Sequence, residues 1–282
     1  LKNYGSRHAC AMSTPQEPLT GSIVYFASGF TSGLLVSAGF NPWDRALYLS
    51  VKDRRPFLHR ENWLYPFQGV RQTLFARAIS SGLYFPLEQL FLDRLQSMPG
   101  LSLGWSTTTM LAGQGAGAMN GILLHPLAVV KYKTWGHLDE KRSFLSTARA
   151  MFSVGPRTFF RALPTTILRD TVFGTTFTFG RRRGKTHFLL DLTAAGCATV
   201  LSAPFNYIRN MQFAQNISQP LSVRAPVLLL LSEVRAKPLG AGLVHLSLRL
   251  QLGWGTLRVA TGMAVMAEIY RGLLHLSCLP TV

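Results

Sequence analysis

Acidic residues and cysteines are scarce in this chain. Its 282 residues include 12 Asp and Glu against 29 Lys and Arg, and only three cysteines. Cys10, Cys197 and Cys278 form no C-x-x-C pair, so the sequence predicts neither a disulfide framework nor a zinc site. No second histidine or carboxylate stands at metal-ligand spacing from His125 or His245. We interpret both as structural histidines and predict no bound metal.

Catalytic motifs are also lacking. The sequence contains no Ser-His-Asp arrangement, no phosphate-binding Walker loop and no dinucleotide-binding glycine motif. We therefore predict that the protein is not an enzyme and has no catalytic residues or organic cofactor.

Charged residues make up only 15% of the chain, and the mean hydropathy is positive. This composition is too apolar for an ordinary nucleic-acid-binding protein despite the net charge of +17, and no zinc spacing, aromatic RNA-binding motif or basic helix accompanies that charge. Several stretches of about 20 residues are apolar enough to cross a hydrocarbon core about 30 Å thick. We predict a multi-span membrane protein with no nucleic-acid partner, whose basic clusters at 52–60, 131–142 and 181–185 face an anionic leaflet.

Three prolines recur at a regular spacing. Pro42, in "SAGFNPWDRALY", lies 84 residues before Pro126, in "GILLHPLAVVKYK", which lies 78 residues before Pro204, in "TVLSAPFNYIRNMQ". This spacing indicates a threefold internal repeat. The predicted organisation is a single domain over 1–282 with an N-terminal extension at 1–19 and repeats at approximately 20–100, 101–184 and 185–275.

Small residues precede each proline by nine positions. They are Gly33, Gly117 and Ala195, and the first two follow Gly29 and Gly113 at a distance of four residues. Small residues at i and i+4 let helices approach closely in lipid, so we expect tight helix packing at these positions.

A second apolar helix pattern with an internal arginine ends each repeat. The three segments are "YPFQGVRQTLFARAISSGLYFPLEQ", "FFRALPTTILRDTVFGTTFTFGRRR" and "LGAGLVHLSLRLQLGWGTLRVATGMA". Each repeat is therefore predicted to contain a helix, a polar basic segment and a second helix. The six predicted spans lie roughly at 20–41, 69–92, 106–126, 160–181, 187–205 and 240–270.

This pattern resembles the mitochondrial carrier family over nearly the whole chain. In that family, odd helices end at Pro-x-(Asp/Glu)-x-x-(Lys/Arg), and "VGPRTFFRALPTTILRD", from Val154 to Asp170, is similar to the junction that leads into an even helix. The resemblance implies an all-α membrane protein with three tandem helix–matrix segment–helix repeats. These would form a six-transmembrane-helix barrel with pseudo-threefold symmetry, multi-pass in the mitochondrial inner membrane.

The resemblance further implies two rings of ion pairs that open and close the barrel. At the prolines, the acid of one repeat would pair with the base of the next. The residues at these acid and base positions are Asp44 and Leu47, Ala128 and Lys131, and Asn206 and Arg209. Only Asp44 and Lys131 have opposite charges, so one ion pair is predicted on this matrix side, and Asn206 retains the capacity to accept a hydrogen bond.

The second ring is expected at the other ends of the even helices. Glu88 has Phe91 in place of its base, the second repeat has the basic run 181–185, and the third has Arg271 followed by Leu274. Like charges at a closing rim repel one another. We therefore predict that this ring lacks its salt-bridge network.

Arginines inside the spans are the candidate substrate contacts. Arg169 and Asp170 resemble the family's second contact point in carriers of amino-acid-like substrates; the alternative is an inherited pair that satisfies itself. Arg77, Arg249 and Arg258 are the other candidates, with an ambiguous helix register. Because arginines outnumber acids here, the predicted ligand is an anion.

Glycines in the connecting segments resemble the family's cardiolipin sites. Gly69, Gly155 and Gly242 are predicted to bind anionic phospholipid at helix N-termini. The first connection is short, with 27 residues from Pro42 to Gly69, against 36 from Pro126 to Ala162 and 38 from Pro204 to Gly242. A trimmed matrix helix is expected there.

Two functional hypotheses follow. The missing gate pairs and the short first segment favour a transport-impaired carrier-like protein that serves as a structural or accessory subunit of a larger inner-membrane respiratory or ATP synthase assembly. The Arg169–Asp170 doublet and the predicted Asp44–Lys131 pair favour the alternative, an active carrier that exchanges an amino acid or a small anionic metabolite.

Overall fold

The computed structural model of the chain describes residues 18–68, 70–98, 103–135, 144–184, 187–215 and 222–277. Every regular element within these ranges is helical, which confirms the predicted all-α class. The α-helices are α1 (Pro18–Lys52), α2 (Val70–Ser97), α3 (Trp105–Trp135), α4 (Phe144–Val154), α5 (Leu163–Arg181), α6 (Phe188–Ala214), α7 (Arg224–Arg235), α8 (Leu239–Arg249) and α9 (Trp254–Ser277). Two short 3-10 helices lie at Arg60–Trp63 and Pro156–Phe160.

Two of these helices are long and apolar enough to cross a membrane. They are Ile23–Lys52, within α1, and Phe188–Ala214, which is α6. They support a membrane protein weakly, because length and composition are the only criteria they satisfy. The predicted six-span topology remains a prediction.

The six long helices pack in chain order. α1 packs on α2, α2 on α3, α3 on α5, α5 on α6 and α6 on α9, and α9 returns to contact α1. The short helices lie in the connections, where α4 packs on α3 and α7 packs on α8 and α6. We call the end of the bundle that contains Pro42, Pro126 and Pro204 the proline end, and the other the opposite end.

The helices that contain the three prolines extend past the ends predicted for the first, third and fifth spans. α1 continues to Lys52, α3 to Trp135 and α6 to Ala214, with each proline inside its helix. A proline removes a single backbone donor, and packing along the following turns keeps the helix intact.

The residue before each of the first two prolines is hydrogen-bonded to the segment that precedes the next long helix, which is α2 for Pro42 and α5 for Pro126. Asn41 Nδ2 donates to the Pro66 carbonyl at 3.0 Å, and His125 Nε2 lies 2.6 Å from the Arg161 carbonyl. The structural role predicted for His125 agrees with this contact.

The sixth predicted span, 240–270, is wrong as a continuous helix. The structure divides it into α8 and α9 because Gln251 adopts a left-handed conformation with φ of 58°. The Gln251 amide bonds to the Leu248 carbonyl and the Leu252 amide to the Ser247 carbonyl. These two bonds form the Schellman arrangement that ends a helix.

The first connection contains no α-helix within its described residues, only the 3-10 helix at Arg60–Trp63. This agrees with the trimmed segment predicted between the first two helices. Arg45 holds the connection against α1, since its fully buried guanidinium donates to Gln68 Oε1 at 2.6 Å and to the Leu64 carbonyl at 2.6 Å. Gly69 lies outside the described residues.

Glycines sit where the long helices approach most closely, as the small-residue pattern predicts. A Cβ at Gly29 on α1 would lie 2.6 Å from the Ser81 carbonyl oxygen on α2. Cβ atoms at Gly113 and Gly117 on α3 would collide with the backbone of Gly174 and Asp170 on α5. These contacts fix the spacing of α1 with α2 and of α3 with α5.

Candidate functional site

A cavity of about 70 Å³ lies inside the bundle near the proline end. Several predicted site residues line it, together with Tyr132 and Gln251: Asp44, Arg77, Arg169, Asn206 and Arg209. The predicted residues come from α1, α2, α5 and α6, so the cavity lies where four of the long helices meet. The cavity is therefore the candidate functional site.

Asp44 makes the principal ion pair beside this cavity. Its Oδ2 lies 2.5 Å from Arg258 Nη2 on α9 and 3.9 Å from Arg77 Nη2 on α2. The Arg258 guanidinium also lies 4.9 Å from the centroid of the Phe40 ring. One carboxylate thus joins the first, second and last long helices.

The predicted Asp44–Lys131 pair is replaced by the pair with Arg258. Lys131 Nζ instead lies 4.3 Å from the centroid of the Trp135 ring and 4.9 Å from that of Tyr132. Cation–π contact with two aromatic rings is a favourable alternative for an ammonium group removed from water. The sequence argument missed Arg258 as the partner because it considered only the acid and base positions that follow the prolines.

Arg169 and Asp170 on α5 pair with each other. The Arg169 guanidinium also lies 5.5 Å from the centroid of the Phe173 ring on the next turn of the same helix. Of the two interpretations that the sequence left open, this geometry agrees with the self-satisfied pair. Arg169 nevertheless lines the cavity, so its remaining donors stand near any bound solute.

Arg209 is nearly buried and pairs with no carboxylate among the described residues. Its Nη2 donates to Asn206 Oδ1 at 2.7 Å and lies 3.4 Å from the Tyr132 hydroxyl. Asn206 therefore accepts this bond from its neighbour on the same helix, and its role in a gate between repeats remains a prediction. The guanidinium also lies 5.6 Å from the centroid of the Tyr132 ring and 5.7 Å from that of Phe213. Arg209 therefore brings a positive charge into the cavity wall that is held by neutral partners, without a described carboxylate.

Positive charge exceeds negative charge around the cavity. The charged side chains that line it are those of Arg77, Arg169, Arg209 and Asp44. Three cations against one acid leave an excess of two positive charges. Such an excess in an apolar bundle favours an anion in the cavity.

Ion pairs also join the helices at the opposite end, where the sequence predicted none. Glu88 on α2 is 1% exposed, and its carboxylate lies 2.7 Å from Arg182 Nε and 3.7 Å from Arg181 Nη1 at the end of α5. Asp191 on α6 is fully buried and lies 2.6 Å from Arg271 Nη1 on α9. The prediction of an unpaired rim was wrong, because the basic run supplies the partner of Glu88.

An apolar cluster fills the bundle between the cavity and these ion pairs. Its buried members include Tyr84 and Phe85 on α2, Phe177 on α5 and Met266 on α9. Each stands between a cavity residue and an opposite-end residue of the same helix. The cluster therefore separates the cavity from the opposite end.

Gln251, in the turn between α8 and α9, contacts the part of α1 that follows Asp44. Its Nε2 donates to the Leu47 carbonyl at 2.5 Å and lies 3.2 Å from the Ser50 hydroxyl, both on α1. The side chain also lines the cavity. The turn between α8 and α9 is thereby tied to the end of α1. Sequence reasoning gave no signal for this contact, because it treated residue 251 as mid-helix.

Some predicted site residues lie elsewhere. Arg249 belongs to α8 and pairs with Glu233 at 3.4 Å, so it is not a cavity residue. Gly155 has a φ of 131° and precedes the 3-10 helix at Pro156–Phe160, while Gly242 packs on the Val234 carbonyl of α7. Their proposed lipid-binding role remains a prediction.

No protein-family model matches this chain, and no curated protein sequence matches it.

Proposed function

We propose that this chain is a carrier-like membrane protein whose central cavity binds a small anionic solute and passes it across the bilayer. The observation that carries the proposal is the excess of positive charge at the cavity, where the buried Arg209 guanidinium pairs with no described carboxylate. The proposal assigns no chemical transformation to the protein.

The chemistry of the cavity wall specifies the class of solute. Guanidinium groups bind carboxylate and phosphate groups through paired N–H donors. The cavity volume is about 70 Å³. A compact carboxylate or inorganic phosphate is the expected occupant, and a larger metabolite requires the helices to separate.

The ion pairs at the two ends support a protein that alternates between two openings. Glu88 with Arg182 and Asp191 with Arg271 join helices at the opposite end, and Asp44 with Arg258 joins them at the proline end. All three pairs are formed in this structure, so opening either end requires the pairs at that end to break, and the balance between the two sets decides which opening is populated. The sequence argued against transport because it predicted that most gate ion pairs are missing. The structure contains ion pairs at both ends, so this argument against transport is weaker.

The architecture proposed with this function is the six-span, pseudo-threefold barrel of the mitochondrial carrier family. The chain-order packing of six long helices, with α9 returning to α1, supports it. A multi-pass position in the mitochondrial inner membrane, in contact with cardiolipin or another anionic phospholipid, belongs to the same proposal.

A second candidate function is a structural or accessory subunit of a larger inner-membrane respiratory or ATP synthase assembly. It is favoured by the pairing of Arg169 with Asp170 and by the apolar cluster around Phe177, which together leave little room for a metabolite. A protein in this role needs no alternating access.

Reconstitution in liposomes separates the two functions. We expect the purified chain to exchange labelled phosphate or a short dicarboxylate with saturation, and the Arg209→Gln variant to lose most of this exchange. Arg94→Gln is the matched control, because Arg94 is exposed in the last turn of α2. No exchange by the wild-type chain, with stable co-migration with a respiratory or ATP-synthesising complex on a native gel, would establish the accessory function instead.

A further inference from the structure

The hairpin of α7 and α8 presents its apolar side chains outward. Leu239 is 83% exposed and Leu248 is 68% exposed, and Leu228, Leu243 and Val244 are exposed as well. Apolar patches this dense are uncommon on a surface that faces water and mark contact with a membrane or another protein.

Three polar side chains of the hairpin, those of Glu233, His245 and Arg249, contact one another. Glu233 on α7 accepts a hydrogen bond from Arg54 at 2.6 Å, and its other oxygen lies 2.9 Å from His245 Nε2 on α8. Arg249 Nε lies 3.4 Å from the same carboxylate. These three polar side chains are therefore turned inward while leucines of the same helices are exposed, which is the reverse of an amphipathic helix in water.

The charges at the surface of the hairpin are positive. Along α7, the exposed stripe begins at Arg224, continues through Leu228 and Leu231, and ends at Arg235. Glu233 is the one acid between residues 224 and 249, and it is already engaged in the inward network. An apolar stripe bounded by arginines is complementary to a lipid surface with anionic headgroups, because the arginine stems reach the headgroup level.

α8 is too short to cross the hydrocarbon core of a bilayer. Its 11 residues extend about 16 Å at about 1.5 Å per residue, which is half of a hydrocarbon core about 30 Å thick. α8 also packs on α7 rather than continuing into α9, since the Gln251 turn separates them. A helix of this length and polarity fits the boundary between headgroups and acyl chains.

We propose that the α7–α8 hairpin lies in the leaflet at the proline end, with its leucine face in the acyl chains and its arginines among anionic headgroups. This inference rests on the membrane location in the proposed function and is independent of solute transport. The occupant of the exposed face is a lipid surface rather than a protein subunit.

Site-directed spin labelling of the full chain tests this placement. In a background with Cys10, Cys197 and Cys278 replaced by serine, single labels are introduced by Leu243→Cys and Leu248→Cys. Lys237→Cys labels the exposed turn of the hairpin, and Leu201→Cys labels an exposed position of α6. Each variant is placed in nanodiscs of mixed phosphatidylglycerol and phosphatidylcholine, and relaxation by oxygen is compared with relaxation by a water-soluble nickel complex.

We expect oxygen to dominate relaxation at residues 243, 248 and 201, and the nickel complex to dominate at residue 237. In nanodiscs of phosphatidylcholine alone, the oxygen preference at residue 243 should diminish, because the arginines lose their anionic partners. An unchanged preference there would overturn the anionic part of the inference.

Nickel access at residues 243 and 248 with oxygen access at residue 201 would overturn the hairpin placement while leaving the membrane location intact. Nickel access at all these sites would contradict both. Protection of residues 243 and 248 from both reagents would show that protein covers this face, which would also overturn the inference.

Discussion

Asp44 on α1 and Arg258 on α9 are 214 residues apart in the chain, and their side chains meet at 2.5 Å beside the central cavity. Asp44 Oδ2 also lies 3.9 Å from Arg77 Nη2 on α2. The pair therefore joins the two ends of the ring of long helices at the depth of the candidate solute site.

Removal of the Asp44 carboxylate should destabilise the folded chain. Asp44→Ala leaves Arg258, whose side chain is 5% exposed, without its counter-charge, and breaking a buried pair in this way costs about 3–5 kcal/mol. Thermal unfolding of the detergent-purified chain measures the effect. Asp93→Asn is the control, because Asp93 is exposed and bonds only its helical neighbour Gln89. A midpoint for Asp44→Ala as high as that of the control would show that the pair contributes nothing.

The close approach of α3 and α5 depends on glycine. Gly117→Val places a Cβ against the Asp170 carbonyl, which cannot move without displacing α5. We expect a loss of at least about 1–3 kcal/mol, the usual cost of overpacking. Gly39→Ala is the matched change within a helix, since nothing lies within 4 Å of its added Cβ. That control should be neutral or stabilising by about 0.5–1 kcal/mol, because alanine favours a helix over glycine. Equal unfolding midpoints for the two variants would contradict the packing account.

The repeat pattern predicted this packing, whereas the ion pairs had to be read from the structure. The spacing of Gly113, Gly117 and Pro126 is a local property of one helix, and it predicts which face meets a neighbour. Glu88 and Arg182 are 94 residues apart in the chain, and they meet only because α2 and the end of α5 are aligned along their axes in one particular way. A shift of one helix by a single residue relative to the other would break such a contact, and the composition of the two helices does not determine this alignment.

The break at Gln251 was missed for a different reason. Apolar residues continue through 239–270, so periodicity predicts one long helix there. A left-handed glutamine gives no sequence signal of the kind that glycine gives, and the hydrogen bond from its side chain to the Leu47 carbonyl is a tertiary contact. As a result, Arg249 was placed in the cavity although it belongs to the α7–α8 hairpin.

The Glu88–Arg182 contact should behave as a coupled pair. In a double-mutant cycle of Glu88→Gln and Arg182→Gln, we expect a coupling free energy of about 1–3 kcal/mol, because Glu88 is buried and its carboxylate lies 2.7 Å from Arg182 Nε. The comparison cycle uses Arg55→Gln with Glu61→Gln, an ion pair whose carboxylate side chain is 57% exposed. Exposed pairs contribute about 0–1 kcal/mol. Coupling no larger in the first cycle than in the second would argue against a structural pair at the opposite end.

Acid should weaken the inward network of the hairpin. Burial acts to raise the pKa of Glu233, but the hydrogen bond from His245 and the charges of Arg249 and Arg54 hold that pKa below its ordinary value of 4.5. A depressed carboxyl pKa contributes stability that is present above about pH 4.5 and is lost as the pH falls through the lower folded value.

We therefore expect Glu233→Gln to lower the unfolding temperature at pH 6 and to have a smaller effect as the pH falls below 4. Unfolding curves of both proteins across this range measure the difference. Asp93→Asn provides a carboxylate control away from the hairpin. A difference that stays constant through the acid range would show that Glu233 ionisation is not linked to folding.

The central claim is that the positively charged cavity holds a small anion, and anion-dependent stabilisation of the purified chain tests it most directly. A ligand that binds the folded state raises its unfolding temperature in a saturable way. We predict that phosphate or a short dicarboxylate, titrated at constant ionic strength, stabilises the wild-type chain and has little effect on Arg209→Gln. An identical response of the two proteins, or none in either, would contradict the account.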